Sequence, residues 1–204
     1  MKGDKRELIL NSAERLMKSV SCNELSVSIL AKEAGIAKGG IYYYFASKEE
    51  ILYAVIERAY KKAVSEYHKG CSEDVPAIKK IRNLFKVIVR REFKNREDNI
   101  LASLHDNDSA LIHNYLKKAA IEQMSPVVEK ILKQGVDEKS INISEPADNV
   151  AETMVTVITS IMDGIVFSDK EQMYSKLKLI SKVLDSSLGA KSGTFGFFSE
   201  ENIF

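Results

Sequence analysis

Proline and glycine are scarce in this chain, three and ten among 204 residues. Long stretches lack both, which argues against a fold of many tight turns and predicts an all-α protein. Cysteine is almost missing. Cys22 and Cys71 match no zinc or redox spacing and are too few for a disulfide scaffold, so reduced thiols in a cytoplasmic protein are expected. The first residues, MKGDKREL, lack the apolar core of a signal peptide. No apolar run approaches the ~20 residues of a membrane span, so no membrane partner is expected. There is no G-x-S-x-G, no phosphate-binding loop, no dinucleotide glycine motif, and no nucleophile paired with a base. The sequence does not read as an enzyme, and no cofactor is implied. His105, Asp106, Asp108 and His113 lie close together without a recognised ligand spacing. They read as ordinary polar groups, and no metal is expected.

A charge excess is also lacking overall, since the net charge is +1. The distribution is uneven. Residues 1–48 hold eight lysines and arginines against five acids, hence +3, which leaves −2 for the remainder. A mildly basic head on a mildly acidic body permits nucleic-acid binding by the head.

What is present is concentrated in AKEAGIAKGGIYYYFASKEE, residues 31–50. A quarter of the chain's 16 Phe and Tyr residues stand here in four adjacent positions. A helix can turn only one face inward, so some of these rings must serve another purpose.

The flanking pattern predicts a run of helices. The first begins near Asp4, with Glu7 at capping-box spacing, and carries an apolar stripe at Ile9, Ala13, Leu16 and Val20. A short second helix has Ser26 as N-cap, an inner face of Val27, Leu30, Ala31 and Ala34, and Gly35 as the left-handed residue that ends it. A third follows almost at once, from about Ala37 to Phe45. Two short helices joined by a glycine turn read as a helix-turn-helix. Ser47 and Glu50 form another capping box and open a long fourth helix, about 47–69, ending near Gly70.

On the third helix Ala37, Ile41, Tyr44 and Phe45 are expected to face inward, with Gly39, Tyr42 and Tyr43 on the other side. Lys38 lies at its start. Gly39 and Gly40 let the backbone approach a surface closely. Tyr42 and Tyr43 offer hydroxyls for phosphate and flat rings for a sugar or a thymine methyl. A slim edge, a cation and exposed hydrogen-bonding rings suit a helix entering a major groove. The competing reading is that the tyrosines cover the body or form a protein interface.

Residues 26–52, SVSILAKEAGIAKGGIYYYFASKEEIL, resemble the DNA-binding domain of TetR-type (tetracycline-repressor-like) transcriptional regulators. Ala31, Gly35, Lys38, Gly39, Tyr42, Tyr44, Phe45, Ser47 and Lys48 match that pattern in order. The resemblance implies DNA contacts from Lys38, Tyr42 and Tyr43, backbone contacts from Ser26 and Ser28, and a phosphate held by Lys48. Tyr44 and Phe45 are core residues in the same scheme. Ala37 departs from a frequent Ser, Gly40 from Thr, Ala or Ser, Ile29 from an acid, and Ser28 from Arg. Few long side chains remain to read bases, so Lys38 and Gly40 gain weight and DNA shape is expected to share in specificity.

The resemblance further implies the organisation of the whole chain. Residues 1–48 form the helix-turn-helix domain, residues 49–190 a helical ligand-binding and dimerisation domain, and residues 191–204 a C-terminal tail. Helices are expected from about Asp74 past Arg90, over Ala110 to Gly135 with a bend near Pro126, over Ala147 to Phe167 and over Lys170 to Leu188. Gly135 to Pro146 reads as a polar linker. The last two helices are the family's dimer elements, and a two-fold dimer would meet palindromic double-stranded DNA. Phe85, Ile88, Tyr115, Met124 and Met154 are candidate linings for a pocket taking an apolar or amphipathic effector, although helical spacing equally suits plain core packing. The tail, Ser192 to Phe204, holds four Phe and reads as a chain end, loose or docked, without an assigned role. The expected function is a ligand-responsive, homodimeric DNA-binding regulator, most simply a repressor. The alternative is a helical small-molecule carrier or sensor that does not bind DNA sequence-specifically.

Overall fold

Caps and apolar spacing decide where each helix starts and stops. The computed structural model describes residues 2–19, 24–93, 100–105, 109–162 and 170–200. Val20, Cys22, Asp106, Asp108, Ile165, Val166, Phe167 and Phe204 lie outside them. Among the described residues every regular element is helical. The fold is all-α, an N-terminal helix-turn-helix domain followed by a helical C-terminal domain.

The head comprises α1 (Lys2–Ser19), α2 (Val27–Ala34) and α3 (Lys38–Tyr42), and α4 (Lys48–Gly70) connects it to the body. α1 begins at Lys2, two residues before the expected Asp4, so position 4 lies within the helix rather than at its cap. Ile9, Leu10, Ala13 and Met17 are buried and pack on α2 and α4. Ser26 caps α2 by accepting the Ile29 amide at 3.2 Å. Gly35 ends it at φ 64°. Its amide donates to the Lys32 carbonyl at 3.3 Å, and the Ile36 amide to that of Ala31 at 3.1 Å. These paired bonds satisfy the last carbonyls of the helix and turn the chain toward α3. At α4 the Ser47 hydroxyl accepts the Glu50 amide at 3.1 Å, while the Glu50 carboxylate accepts the Ala46 amide at 2.6 Å. The capping box is thus reciprocal, with the return bond one residue earlier than in the usual pattern.

The body comprises α5 (Ala77–Phe93), α6 (Ile100–His105), α7 (Ala110–Asp137), α8 (Ala147–Met162) and α9 (Lys170–Ser187). A short 3-10 turn, Gly196–Ser199, follows. α7 runs through the middle and packs against α4, α5, α6 and α8. It continues through Pro126 as one helix. It also continues through Gly135, where a linker was expected. Gly135 is buried there because Ile141 folds back on it: a methyl group at this position would sit 3.0 Å from the Ile141 side chain and 3.3 Å from the Ala77 Cβ. The glycine marks a close approach, not a break. Glu138 then accepts the Ala77 amide at 3.0 Å, capping α5 from the end of α7.

Two polar fixtures tie α4 to its neighbours. Arg58 donates to Glu7 at 2.9 Å, Asn11 at 2.8 Å and Glu14 at 2.6 Å, all on α1. The Tyr53 hydroxyl donates to Glu122 on α7, and Lys118 lies 4.8 Å from the centre of its ring. α4 is therefore bound to the head on one side and to the body on the other.

Candidate nucleic-acid interface

The regular part of α3 is only five residues long, shorter than the expected Ala37–Phe45. The turn nevertheless persists: Tyr43 keeps helical dihedrals, and the Phe45 amide donates to the Ile41 carbonyl at 3.0 Å. Ile41 and Phe45 are buried and Tyr44 is half-buried against the core, as the spacing predicts. Arg6 of α1 covers the Phe45 ring, 5.1 Å from its centre. Ala37 is the correction. It is exposed, not part of the inner face, because it is the extended N-cap residue at φ −64°, ψ 146°, with no side chain able to cap. The helix begins at Lys38, so Ala37 stands outside its inward-facing stripe.

The outer face carries the remaining residues. Tyr42 is 49% exposed and Tyr43 64%. The Tyr43 ring stands edge-on to Tyr44 at 5.0 Å, which restricts it without covering it. Lys38 and Gly39 are exposed and Gly40 is half-buried. A methyl group at Gly39 or Gly40 would meet nothing within 4 Å, so packing within the chain does not require a glycine at either position. Ser28 is exposed, Ser26 and Lys48 are half-buried, and the Ser26 oxygen is engaged in its cap. The fold thus gathers Lys38, Gly39, Gly40, Tyr42 and Tyr43 on α3, with Ser26 and Ser28 at the start of α2 and Lys48 at the start of α4. Ile29 of α2 is also exposed, at 43%.

A second candidate region lies inside the body. Phe85, Ile88, Met124 and Met154 line one cavity between α5, α7 and α8, of about 40 Å³. Tyr115 is not among its walls. It faces α4, with its ring 5.5 Å from that of Tyr53, and burial with a nearby Glu49 charge pushes its phenol up. Burial, with the bond to Glu122, likewise raises the Tyr53 phenol. Apolar spacing identified the buried faces but could not say which helix each would meet. Sequence reasoning also missed Phe198, which completes the cavity wall. Its only signal was the density of Phe in the tail.

His113 is buried in α7 and His105 ends α6. Among the described residues no group of three or more His, Cys, Asp or Glu could hold a metal ion, and no helix is long and apolar enough to cross a membrane.

Comparison with known proteins follows this division. Residues 9–55 match the family model described as bacterial regulatory proteins, tetR family. An HTH-type transcriptional regulator of Haemophilus influenzae is 33% identical over 108 residues, covering 53% of this chain and 57% of the relative. The HTH-type transcriptional regulator EthR of Mycolicibacterium smegmatis is 42% identical over 76 residues, 37% of this chain and 35% of the relative. The chain thus spans about half or less of the length of these relatives. The crystal structure of RolR in complex with resorcinol superposes with a TM-score of 0.73 at 16% identity, covering 97% of this chain and 94% of that one. That likeness extends the shared fold over the body. The sequence match over residues 9–55 and the relatives' names agree that the head of this chain is similar to the tetR family of bacterial regulatory proteins.

Proposed function

We propose that this protein is a DNA-binding transcriptional regulator that acts in the cytoplasm as a homodimer on a palindromic operator and is released by a small molecule. The observation that carries the reading is the outer face of α3. Two exposed tyrosines follow a glycine pair that no internal contact requires, and an exposed lysine precedes it. Residues 1–48 would be the DNA-binding head. Lys38, Tyr42 and Tyr43 would contact DNA from α3, with Gly39 and Gly40 admitting close approach. Ser26 and Ser28 would reach the backbone from α2, and Lys48 a phosphate from the start of α4. Residues 49–190 would hold the effector and the dimer contact, and 191–204 would be a tail.

The dimer reading is supported by α8 and α9. Between them lies an open, mostly apolar groove of about 350 Å³, lined by Val150, Val157, Ile180, Val183 and Leu184 among others. A second copy related by a two-fold axis would cover it and set two copies of α3 at a fixed spacing. The effector reading is supported by the apolar cavity at Phe85, Ile88, Met124 and Met154 and by the shared fold with RolR, which is described with resorcinol bound. A ligand acts only through different affinity for the DNA-fitting and non-fitting arrangements. α4, held at both sides, is the element through which that preference would reach the head.

The test is selection of bound DNA from a random pool, followed by gel shift on the recovered site. Lys38→Ala and Tyr42→Ala are expected to weaken specific binding by about tenfold or more, with the salt slope falling by about 1 for the lysine change. Full specific affinity in both variants would overturn the role of α3. No sequence enrichment at all would favour the carrier or sensor reading.

A further inference from the structure

Of the segment 191–204, read from sequence as a tail either loose or docked, the described residues 191–200 are docked. Phe195, Phe197 and Phe198 are buried. Asp185 of α9, itself buried, accepts the Gly193 amide at 2.6 Å and the Phe195 amide at 2.9 Å. Arg82 of α5 pairs with Glu200. The segment is thus fastened at both ends, and Phe198 stands between the fastenings. Its ring lies 4.7 Å from that of Phe85, edge to face, and forms the last wall of the cavity between α5, α7 and α8.

That cavity, at about 40 Å³, is far below the ~300 Å³ of a typical small-molecule site. An effector binding there must move part of the wall. α5, α7 and α8 are long helices, and α5 and α8 each pack on α7. The tail is a single 3-10 turn with Gly189 at φ 55° and Gly193 at φ 88° before it. A single short turn preceded by two such glycines is the element that opens at least free-energy cost. The wall left behind is aliphatic and aromatic, and its one hydroxyl, Thr159, is already bonded to the Val155 carbonyl at 2.8 Å. A charged or hydroxyl-rich ligand would find no partner there. A ring in the Phe198 position would keep the edge contact with Phe85.

We propose that the C-terminal segment is a built-in occupant of the effector site, the Phe198 ring holding the place of an uncharged ligand bearing an aromatic or hydrocarbon ring. Ligand and tail compete for one slot, so effector affinity is reduced in proportion to the small fraction of molecules in which the tail is unseated. The proposal rests on the reading of the body as effector-responsive.

Toluene is the probe, used on the full chain without DNA. Its binding is measured by ligand-observed NMR, and exposure of the tail by the rate of chymotryptic cleavage at Phe195, Phe197 and Phe198. Toluene is expected to bind the wild-type chain and to speed tail cleavage about fivefold or more, while α5, α7 and α8 stay resistant. Phe198→Ala is expected to bind toluene about tenfold tighter or more. Should that variant fold poorly, Asp185→Asn loosens the fastening without altering the cavity wall and is expected to tighten toluene binding in the same direction. Absence of toluene binding, binding that leaves tail cleavage unchanged, or equal affinity in the folded variants would each overturn the proposal. The effector reading fails separately, if toluene displaces the tail but operator affinity does not change.

Discussion

At Gly39 and Gly40 a side chain is missing where the fold has room for one. In the interior of a structure a glycine is usually explained by a positive φ or a crowded Cβ, as at Gly35 and Gly135. Neither reason applies on α3, whereas the proposed close approach of this helix to DNA would supply one. Gly→Ala in a helix ordinarily stabilises by about 0.5–1 kcal/mol. Gly39→Ala and Gly40→Ala are therefore expected to leave the melting temperature unchanged or raised, while specific DNA affinity falls about tenfold or more. Calorimetry and gel shift on the same preparations separate the two effects. Unchanged DNA affinity would mean that α3 does not approach DNA closely at these positions. The neighbouring Ala37 illustrates what the sequence hides at this scale. Its apolar nature placed it in the core, whereas its backbone is that of a cap lacking a capping side chain. Residue type alone does not distinguish the two, because the wheel depends on where the helix starts.

At the scale of elements, most starts and stops were legible because their chemistry is local. Ser26, Gly35 and the Ser47–Glu50 pair use bonds within a few residues, and the structure contains them. What was not legible depends on distant partners. Gly135 looked like punctuation until Ile141 and Ala77 closed on it, and Tyr115 looked like pocket lining until Tyr53 met it. The attachment of α4 to α1 through Arg58 belongs to this class, since its partners lie 44 to 51 positions away in sequence. Arg58 is largely buried, at 15% side-chain exposure, whereas Glu7 is 55% and Glu14 22% exposed. Solvent screening therefore trims the gain from the pairs, and a buried Arg58 Nε–H without a hydrogen-bond partner among the described residues trims it further. Arg58→Ala is expected to cost about 2 kcal/mol in urea unfolding. Arg58→Lys should recover only part of that, because one ammonium cannot reproduce the fork. A loss under about 0.5 kcal/mol would mean that apolar contacts alone hold the head on α4.

For the whole molecule the informative feature is apolar surface that one chain leaves uncovered. Leu179 and Val183 of α9 are 56% and 46% exposed, one helical turn apart, beside the groove that α8 and α9 share. Single exposed leucines are common, but adjacent ones bordering an apolar groove mark a contact surface. If a second copy covers it, Leu179→Glu and Val183→Glu together place charges in the interface without disturbing the fold of one chain, since both side chains already meet water. Sedimentation is then expected to find monomers with unchanged helicity. Affinity for a full palindrome should drop roughly 100-fold or more, toward that of a half-site, because the second head no longer binds at high effective concentration. A doubly substituted protein that remains a dimer would move the interface elsewhere. A monomer that retained full palindrome affinity would separate dimerisation from DNA recognition and leave α3 acting through one head alone.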